Sequence, residues 1–280
     1  MWPVTVGRTA VGLALACHPG PAAAVTTITA VLAAAVGHRL GSGVLVTAAV
    51  LTGQLSIGWS NDWLDRERDR RSQRRDKPVA SGAVSPATVL GAAFATAGAC
   101  VVLSLLTGAV PGALHLAAVC SAWAYNLGLK ASLASPLPFA VSFGLLPAFV
   151  VAAAPGPGTA PVWMVLAGAL LGTGAHFANV LPDLEDDLAT GVRGLGHHIG
   201  RQAGAVAAAV LLLAAVAVLA LGPPGPPTPG GWAALLLTAP VGTMGLVLAR
   251  RPASRAAFRS VLVIAVVAVV LLVTSGTSLR

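Results

Sequence analysis

The most informative stretch of this 280-residue chain is residues 61–69, which read Asn-Asp-Trp-Leu-Asp-Arg-Glu-Arg-Asp. Its Asn-x-x-x-Asp-x-x-x-Asp spacing begins again 118 residues later, in residues 179–187, as Asn-Val-Leu-Pro-Asp-Leu-Glu-Asp-Asp. Positions i, i+4 and i+8 lie along one side of an α-helix, so each motif is predicted to point its oxygens in one direction. Two such faces turned toward each other would form a cage for hard divalent cations.

The rest of the chain has the composition of a membrane protein. It is 56% hydrophobic and only 9% charged, with a mean hydropathy of +0.84, whereas a typical soluble domain is roughly 25% charged. Windows close to 20 residues long and free of charge recur along it, and that length crosses roughly 30 Å of hydrocarbon. We therefore predict an all-α integral membrane protein with nine transmembrane helices, near residues 20–37, 42–60, 84–107, 111–128, 135–154, 161–179, 203–222, 231–249 and 258–275.

The basic residues follow the topology that these nine spans imply. The loops predicted on one side, 61–83, 129–134, 180–202 and 250–257, carry seven, one, two and three Lys or Arg, and the loops on the other side carry only Arg39. The positive-inside rule then places both acidic motifs and the N-terminus in the cytoplasm and the C-terminus outside. Because this distribution accounts for the net charge of +8, no nucleic-acid partner is expected.

The chain is predicted to be a single polytopic membrane domain over residues 1–280. Its Pro/Gly stretches are too short to connect independent modules and are typical of turns between spans. The residues before the first span, up to Cys17, are predicted to form an amphipathic segment that leads into that span and not a cleaved lipoprotein signal. The three cysteines are odd in number and lie in or beside apolar stretches, so no disulfide framework is indicated.

The acidic residues favour a magnesium-dependent site. All nine Asp and Glu of the chain lie in the two motif regions, beside hydrocarbon that penalises charge. The alternative is a pair of solvated loops in which the charged residues of segment 65–71 form i,i+4 salt bridges along a helix. Oxygen ligands without a Cys/His set suggest Mg²⁺ or Mn²⁺, which complete their shells with water and phosphate oxygens. A bound diphosphate would find neutralising cations in Arg66, Arg70, Arg74, Lys77, Lys130 and Arg193.

A diphosphate site beside an apolar interior points to an isoprenyl diphosphate. The sequence has no Gly-rich phosphate loop, which disfavours a nucleotide. Departure of the diphosphate would leave an allylic cation, and aromatic faces such as Tyr125, Trp123 or Phe143 could stabilise it. A dry pocket among the helices would keep water away from that cation.

Residues 61–69 match the NDxxDxxxD signature of the UbiA superfamily of intramembrane prenyltransferases. Residues 179–187, followed by Gly-Val-Arg-Gly at 191–194, resemble the second DxxxD motif of that family, and residues 125–130 resemble its Tyr/Lys segment. The resemblance implies a nine-helix bundle around a central cavity with a cytoplasmic cap. It also implies transfer of a prenyl group from its diphosphate to an aromatic or other lipophilic acceptor, with Mg²⁺.

The resemblance assigns roles to individual positions. Lys77, Lys130 and Arg66 would bind the diphosphate, and we add Arg193 by charge. Tyr125 would lie near the reacting carbon, and together with Asp62, Asp65 and Asp183 it forms the predicted catalytic group. The roles of Glu185 and Asp186 are not assigned. The predicted metal ligands are Asn61, Asp62, Asp65, Asp69, Asn179, Asp183 and Asp187.

Three functions remain open at this stage. Prenyl transfer is the leading hypothesis, with an isoprenyl diphosphate, a lipophilic acceptor and membrane lipid as partners. Where many members have Arg-Pro in the first helix this chain has His18-Pro19, which puts an ordinary aromatic-acid acceptor in doubt. The apolar segment 133–147 would equally suit a UbiA-type terpene cyclase that closes the cation on its own chain. A cation transporter would instead need acids near the bilayer midplane.

Overall fold

The structure, a computed structural model, describes residues 3–74, 76–156, 158–249 and 256–276. These residues form ten α-helices and one short 3-10 turn, Leu129–Ala131. The predicted all-α class is therefore confirmed. The helices, numbered in chain order, are α1 (Pro3–Ala16), α2 (Pro19–Ala35), α3 (Leu40–Arg71), α4 (Pro86–Leu106), α5 (Ala109–Leu127), α6 (Leu137–Ala152), α7 (Val162–Ala189), α8 (Leu195–Leu221), α9 (Pro229–Ala249) and α10 (Ala256–Gly276).

Each of the nine predicted windows overlaps one of the helices α2 to α10, and α1 is an additional helix in front of them. By length and composition, four described helices can cross a membrane: α3, α4, α8 and most of α7. The pair α1 and α2, bent by 61° at a short break, would count as a fifth if it forms one span. Several apolar helices thus indicate a multi-pass membrane protein, and the count of nine spans stays a prediction. Residues 250–255, which hold three arginines of the predicted topology, lie outside the described residues.

The break between α1 and α2 occurs at His18. Pro19 and Pro21 fit the first turn of α2, where a missing N–H costs nothing. His18 itself has left-handed backbone angles (φ 56°, ψ 65°), which are uncommon for a non-glycine residue. At this break α3 passes very close, because a Cβ on Gly58 would lie 2.1 Å from the carbonyl oxygen of Cys17. Glycine at position 58 therefore lets the break approach the end of α3 that carries the first motif.

Helix α7, which carries the second motif, packs closely between α6 and α8. A Cβ on Gly168 or Gly172 would lie 2.4 Å from a carbonyl oxygen of α6. Such small residues let membrane helices approach closely, where van der Waals packing replaces the hydrophobic effect. Fully buried Met164 and Leu212 fill the adjoining core. This packing holds the motif end of α7 in a fixed position.

The first motif ends in a turn that folds back toward α7. Helix α3 stops at Arg71, so it ends before Pro78 rather than running on to it. Gln73 has a positive φ of 53°, and the N–H of Arg74 donates to the carbonyl oxygen of Asp69 (3.0 Å). The chain therefore reverses within a few residues and brings Arg74 and Lys77 beside the acids of α3.

Candidate active site

A polar pocket of about 450 Å³ lies between the motif-bearing ends of α3 and α7. Its wall contains every residue that the sequence predicted as a metal ligand, on both helices. It also contains Tyr125, Lys77 and Lys130 from the other predicted roles. The structure therefore brings together ten of the twelve predicted site residues, and their metal-binding and catalytic roles stay predictions. The seven predicted ligands in the wall are Asn61, Asp62, Asp65, Asp69, Asn179, Asp183 and Asp187.

Asp65 is the most heavily partnered carboxylate of the pocket. It is buried, accepts hydrogen bonds from Arg68 Nη2 (2.9 Å) and Asn61 Nδ2 (3.2 Å), and forms an ion pair with Lys130. Lys130 lies in the 3-10 turn after α5 and is itself largely buried. Burial lowers the pKa of Lys130, and the negative charge of Asp65 partly opposes that shift. The two groups therefore compensate each other in a site where either one alone would be costly.

Arg68 connects the two motifs. Its guanidinium lies 2.9 Å from Asp65 Oδ2, 3.7 Å from Asp69 Oδ1 and 3.6 Å from Asp187 Oδ1 on α7. Arg68 is not among the site residues predicted from the sequence. Helical periodicity was the signal that could have found it, since position 68 is seven residues from position 61 and so lies on the same side of α3.

The turn after α3 supplies two more cations. Arg74 forms ion pairs with Asp76 (2.9 Å) and with Asp183 on α7 (3.4 Å). The hydrogen bonds between Arg74 and Asp76 raise the pKa of the guanidinium and lower the pKa of the carboxyl group, so both stay charged. Lys77 Nζ lies 3.4 Å from Asp62 Oδ1 and 3.2 Å from His18 Nε2. Because an ammonium group can only donate, this histidine nitrogen accepts.

A hydrogen-bond network fixes the second motif. His197 Nδ1 accepts from the N–H of Gly194 (3.1 Å), so its Nε2 carries the hydrogen and donates to Asp187 Oδ2 (3.1 Å). Asn126 plays a comparable part on the other side: it accepts from Asn61 Nδ2 (3.2 Å) and donates to the carbonyl oxygen of Ile57 (3.0 Å). These contacts orient Asp187 and Asn61 toward the pocket, and sequence reasoning predicted neither.

The donor atoms of the pocket fit a divalent cation that shares its shell with a ligand. Asp62 Oδ1 and Asp69 Oδ2 are buried and have no hydrogen-bond partner. Asp62 Oδ1 has only a long ion pair to Lys77, at 3.4 Å, so both oxygens keep the capacity to coordinate a cation. Among the described residues, no three His, Cys, Asp or Glu side chains are close enough to hold a metal by themselves. Arg68, Arg74 and Lys77 pair with the acids of the pocket, and the carboxylate cage stays a prediction. Mg²⁺ commonly takes only one or two carboxylates and completes its shell with water and phosphate oxygens.

An apolar cavity of about 400 Å³ adjoins the polar pocket. Tyr125 stands at the junction, since it lines both, and its ring meets Phe139 edge to face at 5.1 Å between centroids. Phe143 stacks on Phe139 at 6.2 Å and also lines the cavity. A molecule with an anionic head and an apolar tail therefore finds two matched compartments. The residues shared by both compartments are His18, Pro21, Asn61, Tyr125 and Asn179.

Two of the predicted diphosphate ligands lie outside the pocket. The guanidinium of Arg66 stacks over the ring of Trp63 at 4.3 Å and donates to the carbonyl oxygen of residue 63 (2.7 Å). Arg193 is exposed on the loop before α8 and does not line the pocket. The arginines in the pocket wall are Arg68 and Arg74.

Of three other residues named in the sequence predictions, Trp123, Glu185 and Asp186, the two whose side chains are described line neither compartment. Trp123 does not line the apolar cavity: its Nε1 donates to Ser56 Oγ (3.1 Å) and its ring faces Phe94. Glu185 points to solvent and pairs with Arg201 (3.2 Å). The side chain of Asp186 lies outside the described part of the chain.

Fold and site together define a helical, multi-pass membrane protein in which an acid- and base-lined pocket opens into an aromatic-walled apolar cavity. A model of the UbiA prenyltransferase family matches residues 22–267. The chain therefore belongs to the UbiA prenyltransferase family, and the resemblance of its two motifs is confirmed. A search of curated protein sequences finds no match.

Solved structures of UbiA proteins share the fold at low sequence identity. A UbiA homologue from Archaeoglobus fulgidus, bound to GPP and Mg²⁺, superposes with a TM-score of 0.71 at 13% identity, over 95% of this chain and 99% of that one. An apo UbiA homologue from Aeropyrum pernix K1 gives 0.70 at 19% identity, over 90% and 96%. A digeranylgeranylglyceryl phosphate synthase gives 0.71 at 16% identity, over 96% and 99%. At these identities the likeness establishes the fold.

Proposed function

We propose that this protein transfers a prenyl group from an isoprenyl diphosphate to a lipophilic or aromatic acceptor within the membrane, with Mg²⁺ as cofactor. The observation that carries this proposal is the junction of the two compartments at Tyr125 and Asn179. An anionic head bound among acids and cations would place its tail directly in the apolar cavity. The structure of the Archaeoglobus fulgidus homologue with GPP and Mg²⁺, and another with DMAPP and Mg²⁺, support this choice of ligand.

The basic side chains of the pocket would hold the diphosphate. Lys77, Lys130, Arg68 and Arg74 converge there from α3, the turn after it and the 3-10 turn. Each is already paired with a carboxylate, and the six carboxylates of the pocket wall outnumber these four cations by two. Binding of Mg²⁺ by the two carboxylate motifs would offset the added charge of the diphosphate and stabilise it as a leaving group. The seven residues proposed as its ligands are Asn61, Asp62, Asp65, Asp69, Asn179, Asp183 and Asp187.

The aromatic wall would protect the cation that forms when the diphosphate leaves. Tyr125 stands where the head and tail compartments meet, so its ring would lie near the first carbon of the prenyl chain. Phe139 and Phe143 continue this wall into the cavity, and their quadrupoles favour a positive charge. The carbon–oxygen bond to the diphosphate breaks first, the acceptor then attacks the cationic carbon, and the proton that the acceptor loses passes to the released diphosphate. An apolar cavity excludes water, which would otherwise react first.

The same geometry leaves a terpene cyclase as the second candidate. No Lys, Arg, Asp or Glu is among the described residues that line the apolar cavity, so a folded prenyl chain alone could fill it. Family membership favours either prenyl reaction over the cation transporter. We also infer, from the distribution of Lys and Arg, that the pocket and the N-terminus face the cytoplasm and the C-terminus faces outside.

One assay on detergent-purified protein tests the function. Geranyl, farnesyl and geranylgeranyl diphosphate are each supplied with Mg²⁺, first without an acceptor and then with a set of lipophilic phenols and alcohols, and the organic extract is read by mass spectrometry. We expect prenylated acceptor, and its loss when EDTA removes Mg²⁺ and return when Mg²⁺ is restored. Cyclic hydrocarbons or alcohols formed without acceptor would identify the cyclase instead. If the protein neither binds nor consumes any of the three diphosphates, both the transferase and the cyclase proposals are refuted.

Arg68 and Arg66 provide a matched test of the diphosphate pocket. We expect Arg68→Gln to weaken Mg²⁺-dependent binding of geranyl diphosphate about tenfold or more, because it removes a charge-assisted contact. Arg66→Gln should change it less than about twofold, since this guanidinium stacks on Trp63 outside the pocket. Titration of each variant with geranyl diphosphate gives the two affinities. Equal losses in both variants would contradict the placement of the two arginines.

A further inference from the structure

The apolar cavity contains two polar groups at the end remote from the diphosphate pocket. The cavity follows one face of α5, with His115, Ala118, Val119, Ala122, Tyr125 and Asn126 in its wall. His115 precedes Tyr125 by ten residues, which is about 15 Å along a helix. Helix α3 touches α5 at this depth, since a Cβ on Gly53 would lie 3.6 Å from His115 Cε1. The next residue, Gln54, also lines the cavity.

The hydrogen bonds around His115 determine which of its nitrogens carries the hydrogen. Ser104 Oγ donates its only hydrogen to the carbonyl oxygen of Cys100 (2.5 Å). The 2.7 Å contact between Ser104 Oγ and His115 Nδ1 therefore requires that Nδ1 donates. A buried ring is disfavoured as a cation, and every acidic residue of the chain belongs to the two motif regions. Nε2 is then left with a lone pair.

That lone pair opens into the cavity. Among the described residues Nε2 has no hydrogen-bond partner. It is also not completely enclosed by protein atoms, so a small molecule can contact it. Since the ring lines the cavity, we infer that Nε2 is reached from the cavity side. The ring cannot turn away easily, because Ser104 holds one edge and Phe149 stacks on its face at 4.5 Å with an interplanar angle of 16°.

We propose that His115 and Gln54 form a subsite that selects the acceptor. The acceptor it selects is a neutral, elongated lipophile with a hydroxyl group at the end remote from its reacting atom. The inference rests on the proposed prenyl transfer. A free acceptor nitrogen in an apolar wall favours a ligand that donates a hydrogen bond, and an apolar tail leaves it unpaired at a cost. A carboxylate is disfavoured, because no cation lines the described part of this cavity to compensate its charge. The acceptor must also span the distance from His115 to Tyr125 along the α3 and α5 side of the cavity, beside a prenyl chain that follows Phe139 and Phe143 on α6.

Binding of three matched probes tests the subsite without any turnover. The probes are para-hexylphenol, its methyl ether and para-hexylbenzoic acid, titrated against the detergent-purified protein without diphosphate and followed by tryptophan fluorescence. The wild-type protein is expected to bind the phenol roughly tenfold more tightly than the ether, the value of one buried hydrogen bond. The benzoate is expected to bind more weakly than the phenol. Equal affinities for phenol and ether would overturn the proposal.

Variants of the same protein show which residues cause the preference for the phenol over its methyl ether. His115→Phe should abolish this preference. His115→Gln still offers a hydrogen-bond acceptor and should retain part of it. Ser104→Ala keeps the ring but releases Nδ1, so the preference should fall severalfold. His38→Phe is the control, because His38 lies outside the cavity with both ring nitrogens paired. A preference that survives in both His115→Phe and Ser104→Ala would overturn the proposal even if one of them folded poorly.

The outcome is separable from that of the proposed function. Mg²⁺-dependent binding of geranyl diphosphate is measured on the wild-type protein in parallel. Selection of the phenol without diphosphate binding would refute prenyl transfer and leave a hydroxyl-selective subsite. Diphosphate binding without selection of the phenol would refute the subsite alone.

Discussion

Replacing Asp183 by Asn is expected to lower Mg²⁺-dependent consumption of the isoprenyl diphosphate by about 100-fold or more, with the midpoint of thermal unfolding unchanged. Asp183 faces the pocket from α7, and its side chain is 48% exposed. Its ion-pair partner, Arg74 at 3.4 Å, is held independently by Asp76. Loss of one such exposed pair costs the fold little. The loss of activity would then report on the chemistry of the pocket.

Glu185→Gln is the matched control for Asp183→Asn. Glu185 lies on the same helix, two residues further on, but its side chain is 85% exposed and pairs with Arg201. The same removal of one negative charge there should leave turnover within about twofold of wild type, since charges in water interact weakly. Rates and unfolding temperatures are measured side by side for the two variants. If Asp183→Asn kept wild-type turnover, or if both variants lost it equally, the role of Asp183 would be wrong.

Replacing Asp65 by Ala is expected to abolish turnover and also to destabilise the protein. Both Asp65 and Asp183 are predicted catalytic residues, but the structure separates the effects of replacing them. Asp65 is buried against Lys130, whose side chain is only 13% exposed. Removing one partner of a buried pair leaves the other charge uncompensated, which costs about 3 kcal/mol or more. For a chain of this size, that corresponds to a drop of roughly 5 °C or more in the unfolding midpoint.

The double variant Asp65→Ala/Lys130→Met tests this explanation. It removes both charges, so the midpoint should recover by at least half of the loss, while turnover remains absent. Thermal unfolding of the single and double variants in one detergent measures the recovery. A double variant as unstable as Asp65→Ala would show that the destabilisation has a source other than the Asp65–Lys130 pair.

The positions of the acids in the pocket could be predicted because helical periodicity is a local property. Each motif needed only an uninterrupted helix to align its oxygens, and all seven predicted ligands line one pocket. The same rule, applied to the basic residues, would have corrected the choice of Arg66. Position 66 lies about 140° around the helix axis from position 61, whereas position 68 lies about 20° from it. The family signature drew attention to Arg66, and the geometry of α3 favours Arg68.

Arg193 lies outside the pocket for a different reason. Proximity in sequence suggested that it neutralises the second motif, but the partners of that motif come from other elements. Arg74 and Arg68, more than 100 positions away, reach Asp183 and Asp187. Which loop arginine turns inward depends on the reversal of the chain at Gln73 and on the packing of α7, and neither is encoded in a short pattern.

By itself, the sequence determined the class of protein and most of the charged side chains that line the pocket. Sparse charge and long apolar windows leave few alternatives to a helical membrane protein, because unpaired backbone groups cannot be exposed to lipid. The repeated Asn-x-x-x-Asp-x-x-x-Asp spacing determined which side chains share a helix face. Only the tertiary structure decided which cations compensate those acids, where the polar pocket meets the apolar cavity, and that His115 presents a lone pair to it. These features depend on contacts between distant helices, whose energies vary with burial and distance and leave no periodic trace in the sequence.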